Sequence, residues 1–253
     1  MVETSRVILL IPTYNEAENI GLILKRIFQV DPRLHVLVID DSSPDGTARV
    51  VEAKQREFPH LELLQRRQNP GFAQSYLDGF TRVKHDKNFD VVVTMDADFS
   101  HDPQEIPAML DVIHGGAEAV IGSRYAKVRN FRHIPLWRRV LSRFANEYVR
   151  LILHLPVSDC TSGFIAMRRE VLEKLPLTGI RTEGYGILFE LKYRLHQAGF
   201  EVAEHAVDWP DRHLGASKMN FRRIFESVRL PWRIRFRPAA PAYRSSETQA
   251  KVR

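Results

Sequence analysis

The sequence predicts an α/β fold, a mostly parallel central sheet flanked by helices, and two observations support this prediction. First, short aliphatic runs without helical spacing, such as residues 6 to 11 and 35 to 40, each end in polar residues, as strands do. Second, residues 16 to 30 between them place apolar side chains three or four positions apart, which is helical spacing. Strands that alternate with helices form βαβ units around a parallel sheet.

The alternation continues along the chain. We expect further helices after the DGT at 45 to 47, near 71 to 84 and from 103 to 114, and further strands near 61 to 65, 89 to 95 and 119 to 122. In parallel sheets, ligands bind beyond the carboxyl ends of the strands, where side chains from several strands converge. The residues that follow each predicted strand are therefore the first candidates for a functional site.

Two later segments combine arginine with bulky apolar residues. Residues 135 to 154 are predicted to form a helix with its apolar side chains broadly on one side, and residues 220 to 236 mix the two types in the same way. Such helices either lie in a membrane interface or pack on the core with solvated arginines, and the sequence leaves both possibilities open. We expect one domain over residues 1 to 236 and a disordered polar tail over residues 237 to 253.

The composition is that of a globular protein with a preference for anionic partners. Among 253 residues, 37 are Lys or Arg and 31 are Asp or Glu, which gives a formal net charge of +6. No apolar run reaches the roughly 18 residues of a spanning helix, the N-terminal residues lack a signal-peptide pattern, and no nucleic-acid-binding module is recognisable. The single cysteine, Cys160, excludes an intramolecular disulfide. These features predict a cytoplasmic location.

Paired carboxylates follow one of the predicted strands. In TMDADFSHDP, Asp96 and Asp98 come directly after the apolar run VVV at 91 to 93. Two carboxylates one residue apart in an extended chain point to the same side, and such oxygen ligands suit Mg²⁺ or Mn²⁺. The alternative is that these residues only cap the following helix. The pattern favours a metal site that also binds phosphate.

The acidic residues at the first two strand ends need a different explanation, because they follow different strands and cannot all bind one ion. They belong to the motifs IPTYNE and DDSSPDGT: Glu16, Asp40, Asp41 and Asp45. An aspartate accepts hydrogen bonds from the N–H groups of a nucleobase, and Tyr14 could stack on that base or line its pocket. The pattern indicates a nucleotide pocket. For Asp45 and Gly46, a turn with a helix cap is the simpler explanation.

Neither common glycine-rich phosphate loop is present. No GxGxxG follows the first strand, and no GxxxxGK[ST] occurs in the chain. The charge of a bound phosphate would therefore be met by a metal and by arginine or lysine side chains.

Six motifs in order resemble glycosyltransferase family 2, and within it they are most similar to the dolichol-phosphate mannose synthases. The motifs are IPTYNE (11 to 16), DDSSPDGT (40 to 47), MDADFSHDP (95 to 103), GSRY (122 to 125), SDCTSGF (158 to 164) and DRHLGASK (211 to 218). The resemblance covers about residues 7 to 225. It implies a GT-A type nucleotide-sugar-binding fold and inverting transfer of mannose from GDP-mannose to dolichyl or polyprenyl monophosphate.

The resemblance also implies roles for individual positions. The nucleotide of GDP-mannose would be bound by Pro12, Tyr14, Glu16, Ile39 and Asp41. A divalent metal, Mg²⁺ or Mn²⁺, and the diphosphate would be held by Asp96, Ala97 and Asp98, with Asp96 and Asp98 as the metal ligands. The sugar diphosphate would be gripped by Arg124, Arg212 and Lys218, and the acceptor phosphate would be met by Arg138 and Ser142. The expected catalytic residues are Asp98, Arg124, Arg138 and Ser142.

Two departures from the family pattern leave the donor and the acceptor open. Ser100 stands where some members have a metal-binding glutamine, and the loop after GSRY lacks the glycine-rich stretch usual in mannose synthases. One alternative is a family 2 enzyme that uses UDP-glucose or UDP-N-acetylglucosamine, with polyprenyl phosphate or a saccharide as acceptor. Another is a non-catalytic protein that binds nucleotide sugars.

The chemistry of the acceptor separates two mechanisms. A polyprenyl monophosphate is mostly dianionic at neutral pH and needs no general base, whereas a sugar hydroxyl would need a carboxylate, for which Asp159 is the candidate. The arginines at 124 and 138 favour the phosphate. A lipid acceptor would also give the two arginine-rich amphipathic segments a purpose, so we expect peripheral association with the cytoplasmic face of a membrane.

Overall fold

The computed structural model describes residues 6 to 126, 136 to 208 and 221 to 237. Its strands are β1 Val7–Thr13, β2 His35–Asp40, β3 Leu61–Gln65, β4 Val91–Thr94, β5 Ala119–Ser123, β6 Ile165–Arg168 and β7 Val202–Ala206. Its helices are α1 Ala17–Val30, α2 Thr47–Lys54, α3 Phe72–Val83, α4 Ile106–His114, α5 Leu136–Leu153, α6 Arg169–Lys174, α7 Gly186–Gln197 and α8 Phe221–Arg235. A 3₁₀ turn, Pro103–Glu105, precedes α4.

All seven strands belong to one sheet, in the order β3-β2-β1-β4-β6-β5-β7. Four of the neighbouring pairs are parallel, and only β6 runs antiparallel to both of its neighbours. The prediction of a mostly parallel sheet is confirmed, although β6 and β7 were not among the predicted strands. Because β6 runs backwards, the segment that enters it lies at the edge where the other strands end.

The pleat of β1 explains how one strand supplies two cores. Ile8 and Leu10 face a cluster that contains Tyr76 and Phe80 of α3, whereas their neighbours along the strand face the other cluster. The second cluster contains Leu9 and Ile11 of β1 together with the apolar stripe of α1: Ile20, Ile23, Leu24, Ile27 and Phe28. The sheet is therefore covered by helices on both faces, as a strand that is apolar at every position requires.

Close contact between α3 and the sheet requires a glycine. A Cβ atom at Gly79 would lie 2.5 Å from Cδ1 of Ile39 and 3.3 Å from Cδ1 of Leu10. Only a residue without a side chain fits that distance, so Gly79 brings the start of α3, and with it Gly71 and Phe72, close to the end of β2.

The two arginine-rich segments form α5 and α8, which lie against each other. The Tyr148 hydroxyl donates to the carbonyl of Val228 (2.8 Å) and accepts from Nε1 of Trp232 (3.0 Å). Buried Ile234 and the ion pair between Arg237 and buried Glu190 (3.2 Å) attach α8 to the core. Within the residues that the structure describes, no helix has the length and apolar character needed to cross a bilayer.

Candidate active site

The candidate site lies at the sheet edge where β1, β2, β4 and β5 end and where the segment before β6 enters. Thr13 at the end of β1 is paired with Asp40 at the end of β2, and Leu10 with Thr94 at the end of β4. Beyond these pairs, the chain turns away through residues with a left-handed backbone: Asn15 (φ 58°), Ser42 (φ 54°) and Phe99 (φ 63°). Serine and phenylalanine rarely adopt this conformation, and such residues concentrate at functional sites.

Asp41, at the end of β2, is held by a buried arginine. Nη1 of Arg66 donates to Oδ1 of Asp41, and the amide of Gly71 donates to Oδ2 (2.7 Å). Arg66 also donates to Oδ2 of Asp78 (2.6 Å) and to the carbonyl of Asn69 (2.6 Å). Each oxygen of the carboxylate thus has a donor from the chain after β3, so Asp41 joins the end of β2 to the start of α3.

The other acidic residues of DDSSPDGT have structural roles. Buried Asp40 accepts from Thr13 Oγ1 (3.1 Å) and from the amide and hydroxyl of Ser43 (3.0 and 2.6 Å). Asp45 accepts from the amides of Ala17 (2.9 Å) and Thr47 (3.0 Å), so one carboxylate serves the first turns of two helices, α1 and α2. Gly46 has φ 92°. The predicted turn and helix cap at Asp45 and Gly46 is present.

The DxD segment is a turn and not extended chain, which corrects the geometry expected from its sequence. β4 ends at Thr94, two residues before Asp96. The left-handed backbone of Phe99 then reverses the chain, and the amide of Ser100 donates to Oδ1 of Asp98 (3.0 Å). The two carboxylates are half-buried, while Ala97 between them is buried. The turn, and not strand alternation, determines where Asp96 and Asp98 point.

His101 supports this turn from within. Its Nδ1 accepts from the amide of Asp96 (2.9 Å), and its ring stacks on Phe164 with centroids 5.1 Å apart. Because an amide can only donate, Nδ1 must be unprotonated, and the neutral ring carries its proton on Nε2. Burial lowers the pKa of His101 to about 4, against the opposing charge of Asp98. A neutral histidine therefore fixes the start of the turn at physiological pH.

Arg124, directly after β5, is held by a fully buried carboxylate. Nε of Arg124 donates to Oδ2 of Asp159 (2.7 Å) and Nη2 donates to Oδ1 (2.8 Å). The amides of Thr161 and Ser162 also donate to Asp159 (3.2 and 3.0 Å). Burial would raise the pKa of Asp159, but the charge and hydrogen bonds of Arg124 lower it to about 2. A carboxylate with a lowered pKa and with hydrogen bonds to both oxygens is poorly suited to accept a proton from a hydroxyl.

The segment from 158 to 164, which enters β6, connects Arg124 to the DxD turn. Its amides at Ser158 and Asp159 donate to Glu204 of β7 (2.8 and 3.1 Å). At the other end, a Cβ atom on Gly163 would lie 2.9 Å from the Tyr76 hydroxyl and 3.5 Å from Oδ1 of Asp96. A side chain at 163 would therefore displace the groups that line the site, and glycine is required there.

Comparison with known proteins agrees with this geometry. The family model described as "Glycosyl transferase family 2" matches residues 8–176. The chain belongs to glycosyl transferase family 2. Among curated proteins, it is 39% identical over 226 residues to the polyprenol monophosphomannose synthase of Mycolicibacterium smegmatis, covering 89% of this chain and 85% of that protein.

Two further relatives have related names. The undecaprenyl-phosphate mannosyltransferase of Micrococcus luteus is 35% identical over 223 residues, covering 88% of this chain and 91% of that protein. The dolichol-phosphate mannosyltransferase of Pyrococcus furiosus is 32% identical over 233 residues, covering 90% of this chain but only 63% of the longer relative. This protein is a glycosyltransferase, as the motifs predicted.

Solved structures support the GT-A type fold. The glucosyl-3-phosphoglycerate synthase of Mycobacterium tuberculosis, crystallised with Mn²⁺ and UDP-glucose, superposes with a TM-score of 0.67 at 17% identity, covering 94% of this chain and 81% of that one. The same enzyme with Mn²⁺, UDP-glucose and phosphoglyceric acid gives a TM-score of 0.64 at 15% identity. At this identity, the likeness shows the fold alone.

Most of the predicted site residues of this glycosyltransferase lie at the one sheet edge. Those that do are Pro12, Tyr14, Glu16, Ile39, Asp41, Asp96, Ala97, Asp98 and Arg124. Ser142 reaches the same region from α5, because its hydroxyl is 2.8 Å from that of Tyr125, the neighbour of Arg124. Arg212 and Lys218 lie outside the described residues, as does the side chain of Arg138.

The donor set fits a hard divalent cation that is completed by other ligands. The described part of the chain contains no cluster of three or more His, Cys, Asp or Glu side chains suited to a metal. Asp96 and Asp98 could hold such an ion with two carboxylates, and the rest of the shell of Mg²⁺ or Mn²⁺ would then come from water and substrate phosphates. Ser100, at the position where some members of the family have a glutamine, donates a hydrogen bond from its backbone amide to Asp98.

Three supporting residues were missed by sequence reasoning: Arg66, His101 and Lys192. Arg66 and His101 have no local signal, because their partners are distant in the sequence or are backbone groups. Lys192 does have one, since it shares a helical face with Leu188 and Leu195, both buried. Had a helix been predicted over 186 to 197, this lysine on its apolar face would have indicated a buried charge.

Proposed function

We propose that this glycosyltransferase transfers mannose from GDP-mannose to a polyprenyl monophosphate, with inversion at the anomeric carbon. An oxygen of the acceptor phosphate forms the new bond to the anomeric carbon, and the bond from that carbon to the diphosphate breaks, which releases GDP. The names of three relatives, a polyprenol monophosphomannose synthase and two polyprenyl-phosphate or dolichol-phosphate mannosyltransferases, support mannose as the sugar and a lipid phosphate as the acceptor.

The observation that carries the choice of acceptor is the pairing of Arg124 with Asp159. Asp159 is the only carboxylate that sequence reasoning put forward as a general base, and its two oxygens accept from Arg124 at 2.7 and 2.8 Å. A phosphate nucleophile needs no base, whereas it does need cations for orientation. An arginine held rigidly at the sheet edge suits a phosphate better than a sugar hydroxyl.

The donor would lie across the ends of β1, β2 and β4. Tyr14 is exposed directly after β1, where its ring can stack on a base, and Asp41 lies beside it because the amide of Asp41 donates to the carbonyl of Thr13 (3.0 Å). Asp96 and Asp98 would hold Mg²⁺ or Mn²⁺ at the diphosphate. When bound, the metal neutralises charge that develops on the leaving diphosphate. Arg124, with Arg212 and Lys218, would add positive charge at the same group.

A two-part assay tests this proposal. Radiolabelled GDP-mannose, polyprenyl phosphate and Mn²⁺ or Mg²⁺ are incubated with the protein, and the label is followed into organic solvent. Label in the organic phase is the expected result. A thermal-shift panel with GDP and UDP tests the nucleotide separately. A larger stabilisation by UDP than by GDP would contradict GDP-mannose as donor.

The metal role is tested at Asp98 against a matched control in the same turn. We expect Asp98→Ala to lower transfer by at least about 100-fold and to weaken Mn²⁺ binding measured by calorimetry, with an unchanged circular dichroism spectrum. The control is Asp102→Asn, because Asp102 only caps the 3₁₀ turn through the amide of Gln104 (3.0 Å). Equal effects of the two changes would contradict the metal role.

We further propose that α5 and α8 contact the membrane surface that holds the lipid acceptor. The exposed apolar side chains of α5 are Leu136, Trp137, Val140, Leu141, Phe144 and Leu151, and those of α8 and the residue after it are Val228, Trp232 and Phe236. Exposed apolar area beside arginines is typical of interfacial helices, which bind by burying that area and by attraction to anionic lipid. Ser142, within α5, would then bring the interface close to Arg124.

Flotation with anionic liposomes at low salt tests this surface. We expect the native protein to float, and Trp137→Ser combined with Phe144→Ser to remain in the dense fraction. Leu22→Ser is the matched control, because Leu22 is also an exposed apolar side chain but lies on α1. Loss of flotation by the control variant, or none by the double variant, would exclude the α5–α8 face as the membrane contact.

A further inference from the structure

Lys192 is a buried ammonium group that the mechanism above does not use. It lies in α7 with 2% of its surface exposed, and its Nζ donates to the carbonyls of Ser162 (2.6 Å) and Leu188 (3.2 Å). No carboxylate in the described part of the chain forms an ion pair with it. A buried charge satisfied only by neutral carbonyls is costly, because the desolvation of an ammonium group is large.

The position of Lys192 places this charge beneath the site. Ser162, which accepts its shorter hydrogen bond, lies between Asp159, the partner of Arg124, and Gly163, which abuts the DxD turn. The main chain at 162 and 163 therefore separates the ammonium group from the space in front of Asp96. The electric field of the ammonium group can act on a ligand bound in front of that main chain.

The neighbouring groups respond to this field. The charge of Arg124 and, after it, the charge of Lys192 lower the pKa of Asp159. Burial lowers the pKa of Lys192 itself to about 8, with the charge of Asp159 opposing that decrease. The 158 to 164 segment thus experiences the positive charge of Lys192.

We propose that Lys192 supplies a fixed positive charge below the diphosphate site of the nucleotide sugar, and that the protein carries this charge at the expense of its stability. The inference rests on the proposed function, because it assumes that a nucleoside diphosphate binds at the DxD turn. A charge held in place before the ligand arrives needs no reorganisation, and in a site of low dielectric it acts more strongly than a solvated lysine.

The proposal predicts opposite effects on stability and on ligand binding, which a purely structural lysine would not produce. In Lys192→Met, the side chain keeps its length and apolar stem but loses its charge. We expect a melting temperature equal to or above that of the native protein, because apolar replacement of a buried charge is often neutral or stabilising. We expect the affinity for GDP with Mn²⁺ to fall about 10-fold.

The decisive measurement is the ratio of the affinities for GDP and for guanosine, each measured by competition against a fluorescent GDP analogue. Loosening of the pocket would weaken both ligands together and leave the ratio unchanged, whereas loss of a charge below the diphosphate lowers the ratio. Because a ratio does not depend on the folded fraction, it stays informative if the variant is partly unfolded. An unchanged ratio in Lys192→Met would overturn the proposal.

Two matched variants complete the experiment. Lys192→Gln removes the charge and keeps a donor toward Ser162, so we expect it to lower the ratio as Lys192→Met does; a native ratio would show that the hydrogen bond matters and not the charge. Leu195→Met alters the buried face of α7 without changing charge, so we expect the native ratio, and a lowered ratio would also overturn the proposal. If the native protein binds UDP and not GDP, the donor proposal fails, and the UDP-to-uridine ratio tests Lys192 instead.

Discussion

Two buried pairs of arginine and aspartate flank the site, and they are arranged in opposite senses. At the end of β2, Asp41 faces the site and Arg66 stands behind it, with side-chain exposures of 10% and 3%. At the end of β5, Arg124 faces the site and Asp159 stands behind it, with exposures of 19% and 0%. One side of the site therefore presents a carboxylate, and the other side presents a guanidinium group.

The difference follows the chemistry of the proposed ligand. A nucleobase offers N–H donors, which a carboxylate accepts, and a phosphate offers acceptor oxygens, which a guanidinium group binds. In each pair, the residue behind compensates the charge in front and fixes its orientation, since a lone buried charge would be too costly. The same construction, with its signs exchanged, can serve a nucleobase at one side of the site and phosphate groups at the other.

The largest effect is expected from replacing Arg66, the more buried member of the first pair. Arg66→Met leaves Asp41 without its cation and the carbonyl of Asn69 without its donor. We expect a loss of about 3–5 kcal/mol in the free energy of unfolding, measured by urea denaturation. We also expect a higher KM for the nucleotide sugar with little change in the KM for the lipid phosphate. A change confined to the lipid phosphate would reverse the assignment of the two pairs.

Replacement of Asp159, the more buried member of the second pair, should reduce the stability less. In Asp159→Asn, Arg124 loses its counter-charge but is partly exposed, so solvent compensates some of the loss. We expect about 3 kcal/mol less unfolding free energy. Kinetically, the KM for polyprenyl phosphate should rise and kcat should fall. If Asp159 were instead a general base, the loss would lie in kcat alone, and the KM for the acceptor would remain native.

The second pair also predicts a dependence of stability on pH. The folded-state pKa of Asp159 is about 2, against an ordinary value of 3.8. Because the folded pKa is the lower one, the carboxylate contributes stability above about pH 4, and this contribution disappears as the pH falls toward 2. We expect about 2 kcal/mol of pH-dependent stability over this range, measured by urea denaturation at successive pH values. In Asp159→Asn that part of the acid dependence should be absent, and an identical acid limb in both proteins would contradict the assignment.

The smallest effect is expected at Ser142 of α5, which contacts Tyr125, the neighbour of Arg124. Ser142→Ala removes the hydroxyl that lies 2.8 Å from that of Tyr125. We expect the unfolding free energy to change by about 1 kcal/mol or less, and the KM for polyprenyl phosphate to rise by a few-fold. Tyr125→Phe removes the same hydrogen bond and keeps the serine hydroxyl. A larger rise in the acceptor KM for Ser142→Ala than for Tyr125→Phe would support contact between Ser142 and the phosphate; equal rises would not.

Sequence alone determined strands β1 to β5, the family and most of the residues at the sheet edge. The signals are local: β-branched runs, helical stripes such as that of α1, and motifs such as IPTYNE and DADFSHDP. They can be interpreted without knowledge of distant contacts. The order of six motifs identified the family, and the five motifs among the described residues lie at strand ends or in connections at the same edge of the sheet.

Tertiary structure alone decided which residues stand behind that edge. Arg66 meets Asp41 across 25 positions, Asp159 meets Arg124 across 35, and Lys192 meets Ser162 across 30. The antiparallel strand β6 has no signature of its own, yet its reversed direction brings the 158 to 164 segment to the site. Such contacts depend on how the strands are ordered and on where the helices pack. Only the tertiary structure therefore determines the charge balance of the site.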